Sequence, residues 1–433
     1  MSGSELGHEM YQLVSELYPM CRSITGDGVR RTLEAVGRLV PLERFEVSSG
    51  TEVFDWTVPK EWNIGDAWVK DARGERVVDF RASNLHVVGY SAPVRTTVSL
   101  SELNEHLFTL PEHPQWVPYR TTYYRDAWGF CMSEERRCGL TEGDYEVCVD
   151  ATLEDGHLTY AECFLPGQSE KEFLVSCHVC HPSLANDNLS GIAVASFLAR
   201  HLSTLDLRYS YRFIFIPGTI GSITWLARNE AAAARIAHGL VVAGVGDGGP
   251  FTYKRSRQGS AEIDRAVGHV LRHSGAPHQV VDFSPYGYDE RQFCSPGFDL
   301  PVGRFSRSPH GEYPEYHTSA DNLDLVKPDQ LAESFRQLLA VVELVEHNRT
   351  YRNTNPKCEP QLGRRGLYKV MGGQADQEVT QLALLWVLNQ SDASHSLLDI
   401  AERSDLAFEV VRWAADALTE HGLLEETSAA AEP

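Results

Sequence analysis

The segment FLVSCHVCHPSLANDNLS, residues 173–190, constrains the fold more than any other part of this chain. Its first three residues are apolar and predict a buried strand, and residues 191–202 (GIAVASFLARHL) have the apolar spacing of a helix. In an open α/β sheet, ligands bind where strands give way to helices. The connection between this strand and this helix holds five side chains that can bind a transition metal ion: Cys177, His178, Cys180, His181 and Asp187.

Four chemical interpretations of this segment are possible. Residues 177–181 form a C-x-x-C-H pattern, the attachment signature of c-type haem, but the start MSGSELGHEM has neither the basic nor the apolar stretch of an export signal. A redox dithiol needs a helix start to lower the thiol pKa, and Pro182 and a polar run separate these cysteines from the helix. A capping loop, with Asp187 or Asn188 bonded to helix amides, needs no ligand. The fourth possibility is a metal site on His178 and Asp187.

The sequence D-N-x-S-G at residues 187–191 resembles the co-catalytic zinc aminopeptidases of the M28 type, in which a histidine at a strand end is followed by a bridging aspartate. A bridging carboxylate suits two cations because each oxygen can bind one of them. The resemblance extends to an aspartate after the apolar run LVVAGV and to a histidine in YHTSADNLD. It implies one or two zinc ions bound by four residues in the family's order: His178, Asp187, Asp247 and His317.

One departure from that pattern concerns the general base. In the M28 aminopeptidases a strand ending in two consecutive glutamates supplies the base and a ligand for the second metal. Here the corresponding strand, residues 211–216, is followed by P-G-T-I-G-S, so that Gly218 and Thr219 replace both carboxylates. This variant, the C-H-x-C-H-P-S-L-A-N-D-N-L-S-G block and YPEYHTSADN together resemble the narrower DUF4910 group of aminopeptidase-like proteins over essentially the whole chain. The resemblance implies an α/β fold with a mixed, zinc-aminopeptidase-like sheet flanked by helices.

If the protein hydrolyses amides, another carboxylate must activate the water, because a general base has to reach it by a hydrogen bond. The candidate bases are Glu290 in YGYDERQF and Glu315 near His317, with Glu312 as a further possibility. Arg291 could bind a substrate carboxylate with two hydrogen bonds, and Tyr316 could donate to the substrate. His181 or Cys180 could replace the ligand lost at Thr219. Each carboxylate could instead form an ordinary surface ion pair.

The order of segments predicts three units. Residues 1–42 and 162–350 form the M28-like catalytic domain, and residues 43–161 form a β-rich inserted domain with short strand-like runs and turns. A polar, Pro/Gly-rich linker then leads to residues 360–433, whose three short helical patterns resemble a winged helix. The aromatic residues of the insertion predict either a lid over the site or a small core of its own: Trp56, Trp62, Trp68, Tyr123, Tyr124 and Trp128.

Charge and composition indicate the partners to expect. The 433 residues carry a formal net charge of −21, which disfavours nucleic acid, whose phosphates need basic partners. From Asp376 to the end there are 12 acidic residues against Arg403 and Arg412, so a DNA-binding winged-helix regulator is disfavoured as well. Nine cysteines are typical of reduced thiols, and no run of about 18 apolar residues predicts a membrane span. We therefore expect a cytoplasmic protein, with the C-terminal unit serving packing or homo-oligomerisation.

These features together predict a zinc-dependent, aminopeptidase-like hydrolase that cleaves an amide bond of a small peptide or aminoacyl conjugate, in a biosynthetic pathway. The main alternative is a non-hydrolytic descendant that kept the fold and the metal, or the fold alone, after losing the two glutamates. Glutaminyl cyclisation, a known diversion of this fold, is a third possibility. It also depends on an acidic residue at the position that Gly218 now occupies.

Overall fold

A computed structural model describes residues 3–367 and 374–427, with side chains described from residue 378 onward in the second range. Its helices are α1 (Gly3–Leu17), α2 (Asp27–Gly37), α3 (Leu100–Glu105), α4 (Glu134–Cys138), α5 (Gly191–Leu202), α6 (Ile220–Arg228), α7 (Glu230–Ala233), α8 (Glu262–His273), α9 (Glu290–Phe293), α10 (Pro328–His347), α11 (Gln374–Gln390), α12 (Leu397–Ser404) and α13 (Phe408–Glu420). No helix in these two ranges is both long and apolar enough to cross a membrane.

The strands are β1 (Glu43–Ser48), β2 (Glu52–Val53), β3 (Trp56–Thr57), β4 (Glu61–Lys70), β5 (Arg76–Asp79), β6 (Val94–Ser99), β7 (Leu107–Phe108), β8 (Phe130–Cys131), β9 (Asp144–Glu154), β10 (His157–Leu165), β11 (Glu172–His178), β12 (Ser210–Ile216), β13 (Ile236–Val242), β14 (Phe251–Lys254), β15 (His278–Val281), β16 (Val302–Ser306), β17 (Thr350–Asn353), β18 (Asp392–Ser396) and β19 (Leu424–Glu426). The chain divides into two compact units, residues 1–261 with 277–336, and residues 262–276 with 337–433.

An eight-stranded mixed sheet organises the first unit, with strand order β1-β10-β12-β11-β13-β16-β14-β15. The four central strands, β12, β11, β13 and β16, are parallel to one another. Parallel strands are covered on both faces and therefore read as continuous apolar runs, and every residue of β11 is buried. The predicted α/β class, with a mixed sheet flanked by helices, is confirmed. The carboxyl ends of β11, β12 and β13 lie together at one edge, where such sheets bind ligands.

Helix α5 follows β11 and is buried along almost all of its length. Its first residue, Gly191, lies so close to its neighbours that a Cβ there would stand 2.3 Å from the Asn188 side chain and 2.6 Å from the Val242 carbonyl. Only glycine permits such an approach. The glycine of the D-N-x-S-G motif therefore lets the loop after β11 pack tightly against the end of β13.

The insertion forms a separate four-stranded antiparallel sheet, with strand order β5-β4-β9-β6. Its own core includes Val69, Phe130 and Val147. The predicted boundaries, residues 43 and 161, fall inside the central sheet instead, because β1 pairs with β10 and β10 pairs with β12. An alternating sequence does not show which sheet a strand joins, and the sequence of β1 and β10 therefore does not separate these two strands from the insertion.

The winged-helix part of the second unit has a three-stranded antiparallel sheet, order β18-β17-β19, and the helices α11, α12 and α13. Ser396 and Asp399 form a reciprocal capping box at the start of α12. The unit starts earlier than the predicted residue 360, because the central strand β17 lies at Thr350–Asn353. A four-residue strand with polar ends, flanked by Asn and Pro, reads as linker in the sequence. The remaining residues of the predicted range, 368–373 and 428–433, lie outside the described residues.

Candidate metal centre

The Asp187 carboxylate is the centre of the site, and it is wholly buried between histidines. His178, the last residue of β11, places its Nε2 atom 2.9 Å from Asp187 Oδ1. His317 places its Nε2 atom 3.1 Å from the other oxygen, Oδ2, and His181 Nε2 lies 3.9 Å from the same oxygen. The two oxygens therefore face different histidines, as a carboxylate that bridges two cations requires.

The electrostatics of this cluster favour the protonation states that bind metal ions. Burial alone would raise the pKa of Asp187, but its electrostatic interaction with the neighbouring His181 ring and its hydrogen bonds with His178 and His317 hold that pKa well below its usual value. Burial lowers the pKa of His181 well below that of a free histidine, so its imidazole is neutral near pH 7. Metal ligation needs an ionised carboxylate and neutral imidazoles.

The donor set and spacing also fit a zinc ion. The ligand atoms of His178, His181 and Asp187 all lie within 4.8 Å of one another. Two ligands of one tetrahedral zinc, each about 2.0–2.1 Å from the metal, stand roughly 3.3 Å apart. The distances of 2.9 and 3.1 Å from Asp187 to His178 and His317 are close to that value. His181, which the sequence suggested only as a replacement for a lost ligand, thus belongs to the cluster.

The loop that carries Asp187 is held by Asp321, four residues beyond His317. The Asp321 carboxylate accepts hydrogen bonds from the backbone amides of Asn186, at 2.6 Å, and Asp187, at 3.0 Å. The Asp321 side chain is fully buried. The motif YHTSADN therefore contributes both a histidine to the cluster and the carboxylate that fixes the opposite loop.

His317 is positioned by a segment of the insertion. The Tyr119 amide donates to the His317 carbonyl at 2.7 Å, and the Tyr119 ring packs edge-on against the His317 ring. Tyr316, predicted to contact the substrate, stacks on His317 with ring centroids 3.9 Å apart. His317 has a φ of 55°, in the left-handed region that non-glycine residues rarely adopt. The histidine side chain is about one-third exposed, whereas His178 is buried, so the cluster opens on the His317 side.

Asp247, the fourth predicted ligand, lies outside this group of ligand atoms. Its Oδ2 atom accepts a hydrogen bond from Asn186 Nδ2 at 2.7 Å, and its Oδ1 atom accepts from Ser308 Oγ at 2.7 Å and from the Gly249 amide at 2.6 Å. The carboxylate thereby holds the residue before Asp187. Its role as a ligand stays a prediction, while in this arrangement its contacts are those of a supporting residue.

The two candidate bases occupy different surroundings. Glu290 is completely buried and forms an ion pair with Lys254, Oε1 to Nζ 2.9 Å. Glu315 is partly buried, and its backbone carbonyl accepts hydrogen bonds from Thr318 in the turn after His317. Glu290 is therefore engaged with a cation of its own, which reduces its suitability as a base.

Arg291 lines a cavity of about 240 Å³ that also contains Gly218 and Thr219. The Arg291 Nε atom is buried and has no hydrogen-bond partner among the described residues. The walls are aromatic and aliphatic side chains: Ile24, Trp56, Tyr123, Tyr124, Ile220 and Ile223. Trp62 is buried in the core that also contains Leu174 and Ile214 of the central sheet, and Trp68 is buried as well, while Trp56 and Tyr124 are about half exposed at this cavity. A lid formed by the insertion stays a prediction.

Asp289 is the residue that the sequence did not single out. It precedes α9, is fully buried, and its Oδ1 atom accepts a hydrogen bond from Ser222 Oγ at 2.9 Å. Burial raises the pKa of Asp289 to about 6, against the opposing charge of His178. The sequence offers one indication of Asp289, its place beside the candidate base Glu290 in an acidic pair.

The cysteines of the C-x-x-C-H pattern are free thiols. Burial raises the pKa of Cys177 well above its usual value and that of Cys180 to about 12, so neither is poised as a thiolate. Cys180 Sγ lies 3.2 Å from His181 Nδ1, and Cys177 Sγ accepts a hydrogen bond from Asn188. The two side chains support the residues of the histidine cluster.

Comparison of the sequence with known protein families shows the family to which this chain belongs. Residues 11–348 match the family described as a domain of unknown function, DUF4910, and residues 349–426 match a winged helix-turn-helix family. This chain belongs to the DUF4910 family. The predicted resemblance to this family is confirmed, together with the aminopeptidase-like fold and the winged-helix part.

Two relatives come from Clostridium acetobutylicum. A protein named "Putative polysaccharide biosynthesis protein with aminopeptidase-like domain" is 52% identical over 424 residues, which cover 98% of each chain. A crystal structure described as a "putative peptidase" is 50% identical with a TM-score of 0.94, covering 98% of this chain and 97% of that one. A zinc aminopeptidase from Bacillus subtilis has 13% identity and a TM-score of 0.56 over 78% of this chain and 94% of its own. That last likeness concerns the fold alone.

Proposed function

We propose that this DUF4910 protein is a zinc-dependent hydrolase that cleaves an amide bond of a small peptide or aminoacyl conjugate. The observation that carries the proposal is the Asp187 carboxylate, with His178 on one oxygen and His317 and His181 on the other. These four residues would hold one or two ions. A bound zinc ion supplies Lewis-acid chemistry, since it polarises a carbonyl and makes water a stronger nucleophile.

The cavity beside Gly218 would bind the acyl or aminoacyl part of the substrate. Its volume, about 240 Å³, suits one small residue or acyl group rather than a long peptide. The Trp56 and Tyr124 side chains are about half exposed, and the Arg291 Nε atom has no hydrogen-bond partner in the part of the chain that the structure describes. A substrate carboxylate near this end would satisfy that nitrogen by a charge-assisted hydrogen bond.

The biological setting is part of the proposal. The name of the 52% identical relative mentions polysaccharide biosynthesis, which agrees with a conjugate made in a biosynthetic pathway. We place the protein in the cytoplasm, with a small-molecule substrate, without nucleic-acid partners, and with the C-terminal unit free to form homo-oligomers. The acidic excess of that unit supports the exclusion of nucleic acid.

The test combines metal analysis with an activity survey. Protein purified without chelator is analysed for zinc by mass spectrometry and assayed on a panel of aminoacyl-arylamides, with His178→Gln as the site variant and Asp282→Asn as a surface control. We expect at least one zinc per chain and hydrolysis of at least one amide, both lost in His178→Gln and kept in Asp282→Asn. Stoichiometric zinc without hydrolysis of any amide would favour the non-hydrolytic descendant, and absence of zinc would contradict the metal site itself.

A further inference from the structure

The position that Gly218 occupies is next to a carboxylate. A Cβ atom built on Gly218 would stand 3.3 Å from His178 Cβ and 3.5 Å from each of the two oxygens of Asp289. In the M28 pattern this position carries the glutamate that acts as base. A side chain extending from residue 218 would therefore enter the space beside the Asp289 carboxylate. The segment after β12 therefore lacks the carboxylate, and Asp289, which comes from another segment, lies in the same space.

The surroundings of Asp289 leave one oxygen available. Its Oδ1 atom accepts a hydrogen bond from Ser222 in α6, the helix that begins just after Thr219. Its Oδ2 atom is buried and has no partner among residues 3–367 and 374–427. A buried carboxylate oxygen without a partner is costly unless a ligand or water completes its hydrogen bonds. Glu290 Oε2 is likewise buried without a partner among the described residues, so the choice between the two carboxylates depends on their positions.

The neighbouring segment holds Asp289 against the histidine cluster. Tyr288 stacks on the His178 ring with centroids 5.1 Å apart, and Arg291 on the other side lines the cavity that contains Gly218. Glu290 is not among the residues that line this cavity, and its Oε1 atom forms the ion pair with Lys254. Of the two adjacent carboxylates, only Asp289 faces the position of the lost glutamate.

We propose that Asp289 replaces the missing glutamate as the general base, an inference that rests on the proposed amide hydrolysis. The Oδ2 atom of Asp289 accepts a proton from the attacking water, whose oxygen forms a bond to the carbonyl carbon of the substrate. The bond between that carbon and the amide nitrogen then breaks, and Asp289 returns the proton to the leaving nitrogen. The products are a carboxylic acid and an amine, and Asp289 is ionised again.

The first experiment uses Asp289→Asn, which preserves size and can still accept the Ser222 hydrogen bond. Zinc-loaded wild type, Asp289→Asn and the control Asp282→Asn are compared for zinc content, kcat and KM on the best arylamide of the panel. We expect Asp289→Asn to keep its zinc and to lose at least about 10²-fold in kcat, the scale of general-base loss, with KM changed by less than about threefold. A kcat within threefold of wild type would overturn the proposal.

A second variant moves the carboxylate back to the strand end. Gly218→Glu in the Asp289→Asn background restores a carboxylate near the same space without placing two anions together, and we expect at least about tenfold recovery of kcat over Asp289→Asn alone. No recovery, in a double variant that folds and binds zinc, would count against a shared position. If Asp289→Asn fails to fold, Asp289→Ser serves instead, because it removes the carboxylate and leaves a small neutral side chain; a kcat within threefold of wild type in folded, zinc-loaded Asp289→Ser would then overturn the proposal.

A binding measurement separates this inference from the proposed function. Acetohydroxamic acid is titrated calorimetrically into zinc-loaded wild type and Asp289→Asn, because a carboxylate beside the ion accepts a hydrogen bond from its hydroxyl. We expect at least about tenfold weaker binding to Asp289→Asn. If wild type cuts no amide yet binds the hydroxamate in this Asp289-dependent way, the amide substrate class is wrong and the position of Asp289 stands. Equal binding to both proteins would overturn the assignment of Asp289.

Discussion

Glu290→Gln distinguishes the sequence-based choice of base from the arrangement in the structure. Glu290 and Lys254 form an ion pair that is almost completely inaccessible, with side chains 0% and 3% exposed. Lys254 Nζ also donates to the Tyr286 carbonyl at 2.8 Å. The substitution would remove the negative charge and leave the ammonium group buried. We therefore expect a loss of stability rather than a specific loss of catalysis.

The magnitude follows from the cost of an uncompensated buried charge. Removing one partner of a buried ion pair costs about 3–5 kcal/mol. The glutamine oxygen and the Tyr286 carbonyl can still accept from Lys254, so we expect the lower end, about 3 kcal/mol. For chains of 150–250 residues, each kcal/mol of lost stability lowers the unfolding temperature by roughly 2–4 °C. The unfolding temperature of the first unit should therefore fall by roughly 6–12 °C, and because this unit is larger than those chains, we expect the smaller value.

The assay is thermal unfolding followed by circular dichroism, with zinc content and kcat measured below the transition. Asp282→Asn removes an ion pair with Arg255 in which Asp282 is 87% exposed, and this control should cost less than about 1 kcal/mol. Replacing both partners, Lys254→Met with Glu290→Leu, should recover most of the lost stability. If Glu290→Gln unfolds at the wild-type temperature and loses about 10²-fold in kcat, Glu290 is the base and this reasoning is wrong.

Three further predictions concern the metal ligands, acid stability and DNA. In a competition titration with a chelator, Asp187→Ala should lose the zinc ion. Asp247→Asn should weaken zinc binding by only roughly 10–100-fold, the scale for a residue that supports a ligand without contacting the metal. Equal losses in the two variants would make Asp247 a ligand. The hydrogen bond from Arg30 lowers the pKa of Glu61 from 4.5 to about 2. Glu61→Gln should therefore lower the free energy of unfolding by about 1–2 kcal/mol at pH 7, after allowance for solvent screening. In urea unfolding, this difference between variant and wild type should disappear as the pH falls from about 4.5 toward 2. Intact protein should not bind duplex DNA below about 10 µM at 150 mM salt in fluorescence anisotropy; submicromolar, salt-sensitive binding would contradict the argument from charge.

The sequence was sufficient for those parts of the site that depend on strand ends and motif order. His178 ends β11, and Asp187 lies in the loop before α5, as the apolar run and the D-N-x-S-G motif predicted. The structure also brings His317 to Asp187 as expected. The strand and the helix follow from periodicity, whereas the set His178, Asp187 and His317 follows from the resemblance to the zinc aminopeptidases.

Side-chain direction within loops was beyond the sequence. Asp247 lies in the glycine-rich run GVGDGG after β13, where backbone torsions are too permissive to show which way a carboxylate points. The His181 ring lies 4.9 Å from the His178 ring, centroid to centroid, and no short-range sequence pattern indicates this approach. Asp289 and Glu290 are adjacent at the start of α9, and their carboxylates have different neighbours, Gly218 for Asp289 and Lys254 for Glu290. Adjacent residues in a helix do not face each other, so the two members of an acidic pair can have different roles, which the sequence does not distinguish.

The glycine at residue 218 and the aspartate at residue 289 are physically linked. A glutamate at residue 218 would carry its carboxylate into a buried space whose nearest side-chain atoms include both Asp289 oxygens. Two carboxylates that share such a site cannot both ionise without a large cost, so one of them would hold a proton. Burial, with a further contribution from Glu290, already raises the pKa of Asp289 to about 6. If Asp289 is the base, as proposed, a glycine at residue 218 leaves this space to a single carboxylate, and the absence of the glutamate pair is then compatible with hydrolysis.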